Sequence, residues 1–350
     1  MMAPVNSAGP FSEPSREAAP AAPVAVALIC DRHYVVPTAV AIASLLHHRR
    51  RDTRYEIYVV AADPSADLGI LGAFDDPGAA IHRVEAPAGK YADVPDSFHV
   101  TSSACLKFDL PHLLPHLDKV LYLDSDVLVR EDLRALYETD LGDCPAAAVK
   151  DIGLDDNALG IPHYFNAGIM LLNLKQLREE GAPAALEELR RTRTDLTYMD
   201  QDCSNLLFAG RVRLLPMRYN CLYSIFLRLK RHYPVRRINR FFGTAYPSLE
   251  ALGEDAAILH LAGHDKPWLY YDSVSTPLWD RYRALSPARS FKLRRRSIRL
   301  RPIGTFARYL RRHGPAAPAR RARRKLLARR RPPHPARGVC GHPPPAGTPP

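Results

Sequence analysis

The sequence predicts an α/β protein with a mainly parallel, twisted sheet flanked by helices, Rossmann-like in its winding. Three observations lead there. Strand-like apolar runs alternate with helical stretches through residues 23–285. The 350 residues allow one large α/β domain with appendages, or two domains, and at 46% hydrophobic there is ample material for a core. No internal repeat suggests a solenoid or propeller instead.

Taken in order, "PVAVALIC" (Pro23–Cys30) reads as a strand, followed by the helix "PTAVAIASLLHHRR", with Pro37 suited to a first turn. "YEIYVVAAD" is a second strand and "AAIHRVEA" a weaker third. "SSACLKFDLPHLLPHL" carries a helical stretch broken by prolines. "KVLYLDSDVLV" (Lys119–Val129) is the most apolar strand, and "PAAAVKD" is another short one. "FNAGIMLLNLKQLREE" reads as a strand running into a helix. A helix near Gln201–Phe208 and the short strands "RVRLL" and "AAILHLAG" complete the body.

The charge divides the chain in three. Residues 1–22 are Ala/Pro/Ser-rich and read as a disordered leader, without the basic start and apolar run of a signal peptide. From Arg281 to Pro350 there are 21 Lys and Arg and no acid, which leaves 28 basic and 37 acidic residues, net −9, in the rest. An acidic body, residues 23–285, therefore precedes an Arg/Pro-rich tail, residues 286–350, read as partly helical or disordered. Its Arg clusters mix with Leu, Ile, Phe and Tyr, which suits an anionic membrane surface. A solvated tail without a partner is the second reading, and nucleic-acid binding, which the charge alone permits, ranks behind both. The six cysteines form no CxxC pair and read as reduced thiols of a cytoplasmic protein, held peripherally at the inner face of the membrane if the tail binds lipid. No stretch reaches the ~20 apolar residues that cross a bilayer.

Asp124 and Asp126 interrupt the most apolar strand. Residues i and i+2 of a strand share a face, so both carboxylates would aim into one small volume. At ~5 Å and an effective dielectric near 20 they would repel by roughly 3 kcal/mol. A shared proton or a divalent cation, Mg²⁺ or Mn²⁺, would offset that. A polar turn with both side chains on backbone amides competes equally well on these residues alone.

The motifs around the pair resemble those of the family 8 glycosyltransferases, retaining enzymes that include lipopolysaccharide galactosyl- and glucosyltransferases and the glycogenins. The likeness runs from about Val24 to Trp268 with motifs in the family's order: "ALICDRHYVVP", Lys107 ahead of "KVLYLDSDVLV", "HYFNAGIMLLNL", "YMDQDCSNLLF" and "ILHLAGHDKPW". It implies a GT-A fold in a single domain. It implies a metal site of Asp124, Asp126 and His260, with Mn²⁺ favoured somewhat over Mg²⁺ by the imidazole. It places Asp31 and Tyr34 against a uracil base, Lys107 on donor phosphate or sugar oxygens, and Asn166 and Ala167 along the donor sugar. Gly263 and Lys266 would meet the diphosphate. Asp200 would hold sugar hydroxyls, Gln201 would lie beneath the reacting carbon, and Asp202 would be a supporting acid. Asp151, ending a short strand, is carried as a further donor-side acid.

Each residue has a plainer reading: Asp31 or Asp200 as a helix cap, Lys107 as a solvated helix Lys, His260 as a buried structural imidazole. The resemblance implies transfer of a hexose from UDP-galactose or UDP-glucose to a saccharide or lipid-linked acceptor in surface polysaccharide or lipopolysaccharide synthesis. A front-face reaction and a short-lived covalent intermediate both stay open. So do two alternatives, a glycogenin-like self-glucosylating primer and a non-catalytic nucleotide-sugar or nucleic-acid binder.

Overall fold

The structure is a computed structural model that describes residues 22–63, 65–87, 89–91, 102–154, 159–193 and 195–300. The leader up to residue 21 and the tail from 301, with the expectations placed on them, lie outside the described residues.

The strands are β1 (Val24–Cys30), β2 (Tyr55–Ala61), β3 (Ala79–Glu85), β4 (Lys119–Leu123), β5 (Val127–Val129), β6 (Ala146–Lys150), β7 (Phe165–Asn173), β8 (Val212–Leu214) and β9 (Ile258–His260). Seven of them form one sheet in the order β3-β2-β1-β4-β7-β6-β8. Only β7 opposes its neighbours, so the sheet is mainly parallel, as expected. All seven residues of β1 are buried. Val24, Val26 and Leu28 join one core and Ala25, Ala27 and Ile29 the other, so both faces of the sheet are covered.

The helices are α1 (Val35–His47), α2 (Leu110–Leu113), α3 (Arg134–Tyr137), α4 (Leu174–Glu179), α5 (Ala182–Thr192), α6 (Met199–Leu207), α7 (Tyr223–Arg228), α8 (Val235–Phe242), α9 (Leu249–Asp255) and α10 (Thr276–Leu285). Ala39, Val40 and Ile42 of α1 pack on the first face with Trp279 and Tyr282 of α10. Leu110 of α2, Leu174 and Leu177 of α4, Leu186 of α5 and Cys203 of α6 cover the second. The proline-rich stretch before β4 is a 3₁₀ helix, Ser102–Asp109, that passes into α2.

Two expectations are corrected. "KVLYLDSDVLV" is not one strand. β4 ends at Leu123, Asp124 to Asp126 turn, and β5 leaves the main sheet to pair antiparallel with β9. Two carboxylates are not buried in a ladder; they fall where the chain changes sheets. The stretch 286–300, counted with the tail, is in part packed on the body: Arg295 forms a two-bond ion pair with Asp280, Ser297 bonds Asp272, and Ala288 is fully buried.

The connections put the crevice in a definite place. From β1 the chain moves outward through β2 and β3, then returns to β4 on the other side. The carboxyl ends of β1 and β4 therefore flank the switch point, where ligands of open α/β sheets bind. Asp31 follows β1 directly and Asp124 follows β4. Cys30, Cys105, Cys144, Cys203 and Cys221 are free and buried, and burial pushes the Cys30, Cys203 and Cys221 thiols up to about 12. Among the described residues no helix is long and apolar enough to cross a membrane.

Candidate active site

A cavity of about 430 Å³ opens at the switch point. The turn after β4 forms its floor. Asp124 N–H donates to Gly168 O at 2.7 Å, and Leu261 N–H donates to Asp126 O at 2.8 Å. Between them, Ser125 donates to Ile29 O at 2.8 Å and accepts from the Thr38 hydroxyl at 2.9 Å. The middle residue thus ties the turn to β1 and α1, and the flanking carboxylates are left on the cavity side.

His260, at the end of β9, joins them. Its Nε2 lies 3.3 Å from Asp126 and 3.7 Å from Asp124. One ligand atom from each of Asp124, Asp126 and His260 can be chosen so that all lie within 4.8 Å of one another. The imidazole is oriented from behind by Asn220, whose Oδ1 is 2.9 Å from Nδ1. Asn220 Nδ2 donates to Asn166 Oδ1, which fixes the amide and makes Nδ1 the protonated nitrogen. Nε2 is then the nitrogen that faces the carboxylates, the one a histidine ligand offers to a cation. Two carboxylates and an imidazole suit a divalent cation.

The two acids are not equivalent. Burial pushes the Asp124 carboxyl up, Lys107 pulling the other way and the Asp126 charge adding to the rise. Burial also opposes ionisation of Asp126, but Lys266 and His260 outweigh it and hold that carboxyl well below the usual range. Lys266 Nζ bonds directly to Asp126 and to Leu261 O at 2.9 Å.

The opposite wall is β7 with the start of α6. Gln201 accepts from Ala167 N–H at 3.1 Å and donates to Asp151 at 3.1 Å. Asn166 also donates to Asp151 at 3.1 Å and accepts from Gly168 N–H at 3.0 Å. A register shift between Ala148 and Lys150 of β6 precedes Asp151 and turns the strand end toward this network. One hydrogen-bonded path therefore runs from His260 through Asn220, Asn166 and Asp151 to Gln201. At the far end, Asp31 and Tyr34 line the cavity; Asp31 accepts from His33 N–H at 2.8 Å, and the Tyr34 ring meets Trp268 edge-on at 5.5 Å. Gly263, at φ +91°, lines it too, in a backbone conformation that favours glycine.

Two expected site residues stand behind the wall. Lys107 is 4% exposed; its ammonium bonds Asp200 at 2.8 Å and Ala167 O at 3.1 Å, lies 3.7 Å from Asp124, and sits over the Tyr122 ring. It pairs with the buried Asp200 and the half-buried Asp124 and does not line the cavity, since a buried ammonium goes to the nearest carboxylates. Asp202 accepts from Thr197 and Tyr198 N–H at 2.7 and 2.8 Å and from the Tyr164 hydroxyl. It lies in the first turn of α6 and reaches back to the N–H groups just before it, while the N-cap position falls to Tyr198 and not to Asp200. Asp200, also buried, does line the cavity.

Asn220 escaped sequence reasoning because a lone Asn in "MRYNCLYS" carries no spacing signal. Asn220→Ala is expected to weaken Mn²⁺ binding by roughly 10- to 100-fold, as losing such a supporting partner does. Isothermal titration with Mn²⁺ checks it, and an unchanged affinity would remove Asn220 from the site.

The cavity, the acid–imidazole cluster that could hold a cation and the amide-lined wall come together at the switch point. The sequence model of Glycosyl transferase family 8 matches residues 25–272, and the chain belongs to that family. The chain is 26% identical over 201 residues to general stress protein A of Bacillus subtilis (strain 168), covering 55% of this chain and 68% of that one. It is 31% identical over 164 residues to the lipopolysaccharide 1,2-glucosyltransferase of Escherichia coli (strain K12), covering 43% of this chain and 44% of that one, so the match spans less than half of the glucosyltransferase. The solved galactosyltransferase LgtC in complex with donor and acceptor sugar analogs superimposes with a TM-score of 0.63 at 27% identity, over 79% of this chain and 99% of that one. The fold is thus the Rossmann-like GT-A fold expected from the motifs.

Proposed function

We propose that this chain is a metal-dependent, retaining hexosyltransferase that moves galactose or glucose from a UDP-sugar to a saccharide or lipid-linked glycan of the cell surface. The convergence of Asp124, Asp126 and His260 beside the 430 Å³ cavity carries the reading. The names of the glucosyltransferase relative and of LgtC support the donor and acceptor classes. Residues 23–285 would form the catalytic domain, a span close to the family match. The large exposed apolar side chains among the described residues, Leu269, Tyr271, Val274, Leu285 and Phe291, fall in one stretch leading into the basic tail. That supports peripheral attachment of this end to an anionic inner membrane face.

In this reading Asp124, Asp126 and His260 hold Mn²⁺ or Mg²⁺, which when bound supplies positive charge against the departing diphosphate. Lys266 adds a point charge beside it, and Gly263 lets the backbone approach the phosphates. Asp31 and Tyr34 seat the base. Asn166, Ala167 and Asp200 position the sugar, and Lys107 holds Asp200 and Asp124 in place through its ion pairs. Gln201, clamped between Ala167 and Asp151, presents its amide to the reacting carbon.

Incubation with UDP-galactose or UDP-glucose and Mn²⁺ is expected to release UDP, and chelation to stop it. No release and no UDP binding would sink the reading. Gln201→Ala is expected to lower turnover by about 100-fold or more, as loss of one well-placed polar group does. UDP affinity should barely move; near-wild-type turnover would remove Gln201 from the chemistry.

A further inference from the structure

Beside the cavity mouth lies a surface whose charge runs against that of the body. From Cys221 to Leu249 there is no Asp or Glu, while Arg228, Lys230, Arg231, Arg236, Arg237 and Arg240 fall within thirteen residues. All six are exposed. Among the described residues only Arg228 of the six forms an ion pair, with Asp265. The amphipathic α8 explains the geometry: Ile238 is fully buried, Phe241 and Phe242 pack against the core, and the arginines are left outside.

The arginines of α8 help to line a second cavity of about 580 Å³, formed by Lys150, His163, Tyr164, Arg237, Arg240 and Phe241. No carboxylate and no side-chain amide lines it. Neutral sugars are held largely through such groups, whereas two guanidinium forks, an ammonium and an imidazole match an oxyanion. Lys150 is steadied there by its bond to Phe241 O at 2.7 Å. Side chains of the two cavities touch. Arg228 and Tyr233 line the first, Arg237 lies over the Tyr233 ring at 5.2 Å, and Tyr164 of the second bonds Asp202, the neighbour of Gln201.

We propose that this cationic cleft binds a phosphate group on the acceptor, so that the acceptor is a phosphorylated saccharide anchored beyond the hydroxyl that is glycosylated. The proposal rests on the transferase reading given above. A concave basic cleft suits a discrete phosphate better than a bilayer, and the exposed apolar side chains that would suit a bilayer lie elsewhere, between Leu269 and Phe291.

The test uses the full chain with UDP and Mn²⁺ filling the donor site, and titrates glucose 6-phosphate against glucose. The wild type is expected to bind the phosphate sugar at least tenfold more tightly, and more weakly as salt rises. Arg237→Gln/Arg240→Gln should abolish that preference, and Arg240→Gln alone should reduce it, with unfolding temperature and UDP affinity as controls. Equal affinities in the wild type, or a preference that survives in the double variant, would overturn the proposal. Loss of co-sedimentation with phosphatidylglycerol vesicles in place of the phosphate preference would mark a membrane surface and overturn it too. Absence of UDP binding would fail the donor reading alone, because the glucose 6-phosphate titration can be run without UDP.

Discussion

Asp124→Asn and Asp126→Asn are each expected to eliminate stabilisation by Mn²⁺ and UDP, yet to move the metal-free protein differently. Both changes remove a carboxylate oxygen from the cluster of Asp124, Asp126 and His260. In the metal-free protein, Asp126 is the partner of the buried Lys266. Its loss leaves an uncompensated buried ammonium, which costs about 3–5 kcal/mol. Asp124 is held up by burial and by the neighbouring charge of Asp126, so its ionised form is less favourable folded than unfolded. A neutral amide relieves that strain, and Tyr122, which donates to Asp124 at 2.6 Å, can still donate to it. Asp126→Asn should therefore lower the metal-free unfolding temperature by several degrees, and Asp124→Asn should leave it equal or higher. Thermal unfolding with and without Mn²⁺ reads both. If either variant keeps the full Mn²⁺ shift, the metal centre is misassigned.

Gly168→Ala is the second change with a large expected effect. A Cβ there would stand 2.4 Å from His260 Cε1 and 2.8 Å from Asp124 Oδ2. Neither can easily yield: the imidazole is 4% exposed and bonded to Asn220, and the Asp124 backbone is bonded to Gly168 itself. The added methyl must push His260 and Asp124, both proposed ligands, apart. Overpacking of this kind costs ~1–3 kcal/mol in stability. Displacing ligands by the order of 1 Å costs about 10²-fold in rate. The expected signature is a folded protein with Mn²⁺-dependent turnover down by roughly 100-fold. Wild-type metal dependence in Gly168→Ala would show that the two ligands do not act together.

Much of this arrangement is legible in the sequence, for identifiable reasons. The order of strands and helices is written in local apolar runs, and the acid pair, "FNAG", "DQD" and "HLAGHDKPW" are contiguous motifs. What local pattern cannot carry is direction. Nothing in "KVLYLDSDVLV" tells that the chain leaves one sheet for another at the acids. The burial of Lys107 under the site follows from Asp200 and Asp124 arriving from two other elements. That Tyr198 rather than Asp200 stands at the N-cap depends on where α6 begins to within about two residues, which propensity does not fix. Asn220 and the cleft of α8 are defined by neighbours distant in the chain, and single-residue signals there are weak.

The small ladder of β5 and β9 has a consequence for how the centre could fail. Val127 stands directly opposite His260 in a pairing only three residues long. Side chains alternate across a strand, so slipping this ladder by one residue would turn His260 to the other face and bring Ile258's neighbour Leu259 or Leu261 toward the acids. The residue that completes the cluster is thus set by strand alignment rather than by the side chain alone. Substitutions in the buried Val127, Leu128 and Val129 that loosen the alignment would mimic loss of histidine while leaving every ligand in the sequence.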